Sequence, residues 1–375
     1  MNRQTPRLQL HNRFFLRLML LSILALLPTW LNAEADELAL TYRQLTSSKS
    51  HHHFFGYIGH VQTIPWNESG RYMLALRTSF HDHMPKPEEA ADVVLLDTAN
   101  DYQAIPVDKT HAYNFQQGTM FYWNPDDPEN QFFFNDRDLE TGKVFTVLYD
   151  VSQRKRVREY RFDDTPIGNS GVAQNGGYFA AFNYGRTDRL RPVTGYPGSY
   201  DWTVGVNHPE DDGVFKVDIQ TGDKTLLVSF KQLADALRPS RPTVDDIALF
   251  INHTLWNRED DLLYFYARGN FAEPRDQHID RPFIVRPDGT GLKPLGVSVG
   301  GHPEWDYGHR IIGTISNERQ VLYDVDRMLV VGALGNKEIF PNPGADIALS
   351  PDGKWFVNGY QNREDGHNYY TLYRR

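Results

Sequence analysis

Cysteine is absent from the 375-residue chain. No disulfide can form, no thiolate can attack a substrate, and no lipid can be attached through a thiol. Any metal has to be held by His, Asp, Glu or amide groups. Long apolar runs are equally scarce. The one clear example, Leu18 to Leu27, is shorter than the ~20 residues that a membrane span needs. Positive charge is in deficit, with 39 Lys and Arg against 48 Asp and Glu and a net charge of -9. A broad nucleic-acid-binding surface is therefore excluded. Helical periodicity is confined to Phe230–Leu237, which Pro239 and Pro242 bring to a stop. No G-x-S-x-G elbow, P-loop, H-E-x-x-H or dinucleotide fingerprint occurs, so a hydrolase triad and a nucleotide cofactor have no support.

What is present is material for a turn-rich globular fold: 13% aromatic residues, 29 Gly and 22 Pro, with a mean hydropathy of -0.55. Arg3, Arg7, Arg13 and Arg17 precede the short apolar run, which exits through Pro28 and Ala33. That order describes a secretory signal peptide at 1–33, leaving 34–375 as the mature chain in the periplasm or outside the cell, with no stable membrane anchor. Removing four arginines and no acid takes the net charge from -9 to -13.

A repeat organises the mature chain. A turn carrying Trp or Pro with Asn, Asp or Gly precedes an apolar strand at Trp66, Trp123, Gln174, Trp256, Trp305 and Pro351. The intervals are 57, 51, 82, 49 and 46 residues. Most of these strands are followed by a second one ending in an acidic turn, such as Val93–Asp97 or Phe145–Asp150. Hairpins at such spacing predict an all-β fold, a single β-propeller with four strands in each blade. Seven blades follow if the 82-residue interval hides a degenerate repeat, and six if it holds one insertion. The tail Tyr369–Tyr373 is expected to close the ring beside segment 38–46.

Several stretches carry groups able to do chemistry. The run His51-His-His53 borders Phe54 and Phe55, and His53 is the member best placed to meet a ligand. Asn114, Gln116, Asn135 and Arg137 lie near strand starts and would direct amide and guanidinium donors at sugar hydroxyls or carboxylates. Tyr184 with Arg186, Arg189 and Arg191 forms a basic, phenol-bearing patch on an acidic chain. Such a set matches the needs of β-elimination, in which a guanidinium neutralises a uronate while a base removes the C5 proton. His253, His302 and Asp346 each precede a blade strand in consecutive repeats, and two imidazoles with a carboxylate suit a divalent metal ion such as zinc, calcium or manganese. Arg154-Lys-Arg-Val-Arg158 reads as a solvated face. No pair of carboxylates suggests a glycoside hydrolase.

His52-His-Phe-Phe-Gly-Tyr57, Arg71-Tyr-Met-Leu-Ala-Leu76, Asn114-Phe-Gln-Gln-Gly118, Asn135-Asp-Arg137 and Ser350-Pro-Asp-Gly-Lys-Trp355 together resemble exported bacterial β-propellers related to polysaccharide lyases, including ulvan and oligogalacturonate lyases. The resemblance implies seven blades, a substrate canyon at one end of the ring, and β-elimination by His and Tyr with an Arg on the uronate. Where it would place a His near the Gln-Gln-Gly or Asn-Asp-Arg segments, this chain has Asn114, Phe115 and Asn135. Tyr184 or His111 then becomes the expected base and acid, and Arg186 or Arg189 the carboxylate partner. The expected substrate is an acidic polysaccharide or oligosaccharide. A non-catalytic periplasmic propeller that binds glycan or protein is the alternative expectation.

Overall fold

The computed structural model describes residues 40–56, 64–315, 319–336, 338, 340, 342 and 346–375. The expected signal peptide and Tyr57 lie outside them. The chain divides at Gln44, and Leu45–Arg375 carries all of the described strands.

Six antiparallel sheets follow one another along the described chain, each a meander in sequence order. The first comprises β1 (His52–Phe54), β2 (Tyr72–Thr78), β3 (Ala91–Asp97) and β4 (Gln103–Thr110). The second comprises β5 (Tyr122–Trp123), β6 (Gln131–Arg137), β7 (Val144–Asp150) and β8 (Lys155–Tyr160). In the third are β9 (Gly168–Val172), β10 (Tyr178–Phe182), β11 (Gly213–Asp218) and β12 (Lys224–Ser229). The fourth has β13 (Leu249–Trp256), β14 (Leu263–Gly269), β15 (Ile279–Val285) and β16 (Lys293–Pro294). The fifth has β17 (Gly300–Trp305), β18 (Arg310–Ile315), β19 (Arg319–Asp324) and β20 (Leu329–Asn336). The sixth has three described strands, β21 (Asp346–Leu349), β22 (Trp355–Asn362) and β23 (His367–Arg374). First strands of successive sheets adjoin, β9 to β13, β13 to β17 and β17 to β21, as inner strands of propeller blades do.

Six blades are thus present among the described residues, the alternative to the seven that the resemblance implies. The 82-residue interval is one long insertion between β10 and β11, which also contains a helix that the Pro-, Gly- and Tyr-rich composition concealed. This helix, α1 (Tyr184–Leu190), starts where the Asn183 side chain accepts the Arg186 N–H at 3.0 Å. The second helix, α2 (Phe230–Leu237), is the one its periodicity predicts. It opens on a capping box of Ser229 and Gln232 and buries Phe230, Leu233, Ala234 and Leu237. Neither is long enough to cross a membrane. Residues 40–48 hold no strand, so the closing strand expected at 38–46 is not seen among the described residues.

The repeated tryptophan has a structural cause. Trp123 Nε1 donates to Pro65 O at 3.0 Å, Trp256 Nε1 to Gly171 O at 3.1 Å, and Trp305 Nε1 to Leu255 O at 2.8 Å. Each indole therefore ties its own blade to the blade before it, and Trp256 and Trp305 are fully buried. Packing between blades uses the two-residue strand period. Phe132 and Phe134 of β6 join Leu74, Leu76, Val93 and Leu95 of the first blade. Phe133 points the other way, 5.9 Å from Phe179 of the third. A buried aromatic of this kind contributes about 2–3 kcal/mol. Arg156 departs from the solvated reading of the 154–158 run: it bridges Asp108, Asp136 and Glu159.

Candidate functional site

The face where inner strands begin and second strands end also carries the insertion. On it, two blades break register at the same place. Pairing of β13 with β14 jumps from Asn252–Tyr266 to Leu255–Tyr264, and pairing of β17 with β18 from Gly300–Thr314 to Glu304–Ile312. Inside these bulges His253 and His302 adopt left-handed backbone, with φ of 56° and 46°. Such φ values are uncommon outside glycine, and β-bulges re-aim side chains. Here the outcome is a pair of imidazoles with ring centroids 5.0 Å apart.

Each imidazole has a distinct setting. His302 Nδ1 hydrogen-bonds the Asp346 carboxylate, which fixes Nδ1 as the protonated nitrogen and Nε2 as the basic one. His253 is buried beside Tyr266, at 5.9 Å between centroids. Burial first, then the charges of Arg268, His302 and Arg191, hold its pKa well below the usual histidine value, so it is neutral. Arg268 lies over the Tyr266 ring at 4.5 Å and donates from Nε to Asp280 at 2.8 Å. Arg191, from the insertion, lies over Phe271 at 4.6 Å. Burial and the Arg268 charge lower its pKa. Two guanidiniums over the one Phe271 ring, with a single carboxylate bonded to one of them, leave capacity to accept a further carboxylate.

Towards the ring axis, Gln117 Nε2 donates to Asn252 Oδ1 at 3.2 Å. Gln117, Met120, Ser170 and His253 help to line an internal space of ≈ 10 Å³, room for a single water. Gly118, at φ 63°, lets the turn that carries Gln117 pack against the backbone of the first blade, since a Cβ there would stand 2.4 Å from Phe55 O.

His253, His302 and Asp346 are brought together across three consecutive blades, but not as a set of three ligands. Asp346 is turned to His302 as a hydrogen-bond partner. Among the described residues no three His, Asp or Glu side chains form a group able to hold a metal. Tyr184 does not reach the face. It is buried, stacked on Tyr196 at 4.1 Å, and its hydroxyl donates to Asn169 O at 3.0 Å. Burial raises its pKa well above the usual phenol value, the opposite of what a base needs. Arg186 is buried as well. Its guanidinium donates to Leu249 O, Thr203 Oγ1, Val206 O and Asn207 O, clamping the insertion to blade four. Arg189 pairs with Asp201 at 2.7 Å.

His111 follows the outer strand β4, 3.8 Å from Asp136, and burial lowers its pKa. It stands apart from the inner strands. Asn114 is a buried turn-maker whose Oδ1 accepts the Gln116 and Gln117 N–H groups. That turn exposes Gln116 and buries Gln117, so the residue that turns inward is one position later than the expected Gln116. Asn135 is buried in a closed network with Asn169 O, Tyr196 and Thr146. Arg137 is buried against the Pro87 and Gly198 carbonyls. His53, opposite Arg77 in the β1–β2 pair, has both ring nitrogens buried without a hydrogen-bond partner, and burial lowers its pKa. Sequence reasoning missed Arg268, Phe271 and Tyr266, which come from the far end of β14 and the loop after it. It noted Arg191 only as a neighbour of the basic patch.

No protein-family model matches the chain, and no curated protein matches it. Solved structures do. An oligogalacturonate lyase in complex with manganese superposes with a TM-score of 0.56 at 13% identity, over 86% of this chain and 78% of that one. An oligogalacturonate lyase from Vibrio parahaemolyticus gives 0.46 at 12%, over 83% and 77%. A hydrazine synthase of Kuenenia stuttgartiensis gives 0.45 at 12%, over 82% and 90%. Of these, the first bears on architecture, and at its identity it bears on the fold alone: a β-propeller of the kind found in oligogalacturonate lyase.

Proposed function

We propose that this chain is an exported polysaccharide lyase that cleaves a uronate-containing glycan by β-elimination at the His253–His302 face. The observation that carries the reading is the pair of matched bulges, which set two strained histidines side by side next to two guanidiniums. Non-glycine residues in left-handed backbone cluster at functional sites because the surrounding fold has to hold them there. The scaffold shared with an oligogalacturonate lyase supports the reaction class, and the signal-like residues 1–33 support export.

Arg191 and Arg268 bind the uronate carboxylate. Neutralising it acidifies the C5–H and stabilises the carbanionic charge that develops on proton removal. Asp346 orients His302 so that Nε2 takes that proton. The C4–O4 bond then breaks as the C4–C5 double bond forms, and the His302 imidazolium is the proton source for the departing O4. His253, buried and neutral, borders the reacting ring without adding charge.

The donor set does not fit a resident divalent ion. Two imidazoles are short of the three protein ligands that a catalytic metal usually takes, and Arg268 and Arg191 set two positive charges against the His253 ring. The test is ultraviolet absorbance of the unsaturated uronate across a panel of plant and algal acidic polymers. His302→Gln is expected to lower the rate by about 10²–10⁴-fold, as loss of a general base does, with the unfolding midpoint unchanged. Absence of product from every polymer, combined with tight capture of one of them, would replace the lyase reading with that of a binding propeller.

A further inference from the structure

On the outer side of the fourth blade, a cavity of ≈ 240 Å³ is lined by Arg241, Arg275, His278, Asp280 and Arg281. Six other arginines of this acidic chain, Arg71, Arg77, Arg156, Arg189, Arg238 and Arg268, each face a carboxylate, and Arg137 and Arg186 are met by backbone carbonyls. Arg241, Arg275 and Arg281 have no ion pair among the described residues. Arg241 donates from Nη2 to Asp276 O at 3.3 Å, and its Nε is buried without a partner. Arg281 donates from Nη1 to Leu295 O at 3.3 Å. Asp280, the one carboxylate lining the cavity, is bonded to Arg268. Three arginines without an ion pair therefore line a space whose one carboxylate is already bonded to Arg268.

The cavity adjoins the axial site through stacked rings. His278 lies on Phe271 at 4.5 Å and 15°, and Phe271 also carries Arg191 at 4.6 Å and Arg268 at 5.5 Å. Asp280 and Arg268 link the two sites directly. We propose that this cavity is a second oxyanion site, which takes the carboxylate of another uronate on the same glycan chain while Arg191 and Arg268 hold the one being cleaved. The proposal rests on the lyase reading for its substrate and makes that substrate a polyanion, gripped at two acidic residues with the chain passing over Phe271 and His278. Arginine suits the role because its planar fork meets a carboxylate with two parallel bonds.

Two measurements test it, one of them independent of catalysis. The first is titration of the whole protein with inorganic sulfate, followed by calorimetry, for the native chain and for Arg275→Ala/Arg281→Ala. The native chain is expected to bind sulfate with at least tenfold higher affinity than the double variant, at equal unfolding midpoints. Equal affinities, or no binding to either, overturn the site whether or not any glycan is cleaved. The second compares digalacturonate with hexagalacturonate. KM for the hexamer should rise at least tenfold in the double variant with kcat unchanged, and by more than KM for the dimer. If sulfate affinity falls but the hexamer KM does not move, the cavity binds anions without serving the glycan, and the proposal fails. If no galacturonate oligomer is cleaved by the native chain, hexamer affinity measured by calorimetry replaces KM, and equal affinity of the two proteins again refutes it.

Discussion

Replacing Arg186 by Met should destabilise the protein by about 3–5 kcal/mol, the cost of breaking a buried charged network from one side, while removing nothing from the candidate site. The side chain is 1% exposed. Its Nη1 donates to Thr203 Oγ1 at 2.7 Å and to Val206 O at 3.0 Å, and its Nη2 donates to Asn207 O. Its Nε reaches Leu249 O at the start of the fourth blade, and its plane lies 4.4 Å from the Phe230 ring. Burial lowers its pKa to about 10, so it stays charged at neutral pH. Each hydrogen bond to a charged group is worth about 1.5–3 kcal/mol, and each acceptor left buried and unpaired costs about 1–3 kcal/mol. Val206 is exposed and Asn207 half-buried, so both carbonyls can recruit water. The loss therefore concentrates at Leu249 O and Thr203, which gives the range above.

The assay is urea unfolding followed by tryptophan fluorescence, with Trp123, Trp256 and Trp305 at the blade junctions. Arg186→Lys should recover less than half of the loss, because an ammonium cannot reproduce a planar fork that serves four acceptors. A midpoint within experimental error of the native one would refute the clamp. A stable Arg186→Met protein that had lost glycan cleavage would restore Arg186 to the chemistry.

Tyr184→Phe should keep the full cleavage rate and lose about 1 kcal/mol of stability, because Asn169 O still accepts from Asn135 Nδ2 at 2.8 Å; steady-state kinetics beside thermal unfolding checks both. Asp212, buried against Asn183 with Arg186 and Asp201 nearby, has its pKa pushed up to about 7, chiefly by burial. Its native pKa exceeds the unfolded value of about 3.9, so the native state binds the extra proton between the two, and stability falls as pH rises from about 4 to about 7. Asp212→Asn should remove that fall, read as the difference in urea midpoint between about pH 5 and about pH 8 in the two proteins. His302→Gly should leave stability equal or higher, since glycine takes a φ of 46° without strain, while abolishing cleavage. Loss of stability on that change would mean that the histidine is structural.

The repeat was legible because its physical cause is local. A turn Asn with an apolar strand after it is a short-range signal, and a Trp that staples its blade to the one before recurs in blades two, four and five. The blade count was ambiguous because an insertion and a repeat occupy similar lengths of chain, and α1 lies where Pro and Gly crowd the sequence. Part of the site was legible for the same reason. His253 and His302 both stand three residues before the turn tryptophan, so periodicity alone aligns them. Burial was not legible. Tyr184 and Arg186 have the right chemistry in the right order, yet the strand that precedes them and the Asn183 cap send them inward to hold the insertion. Arg191 and Arg268 meet over Phe271 from elements far apart in sequence, and nothing in either local pattern announces the other.

The slot three residues before the turn tryptophan also explains why the site is one-sided. In blade two it is filled by Met120, again in left-handed backbone with φ 56°, and in blades four and five by His253 and His302. The fold thus offers the same strained position in several blades, and the side chain placed there decides whether that blade contributes packing or chemistry. Met120 is buried with the apolar core, which closes its part of the ring, while the histidines lie beside the insertion and the arginines. An insertion in blade three adds Arg191 to that half alone. Polar side chains accordingly gather over blades three to six, and the arginine-lined cavity of blade four adjoins them through Phe271 and His278.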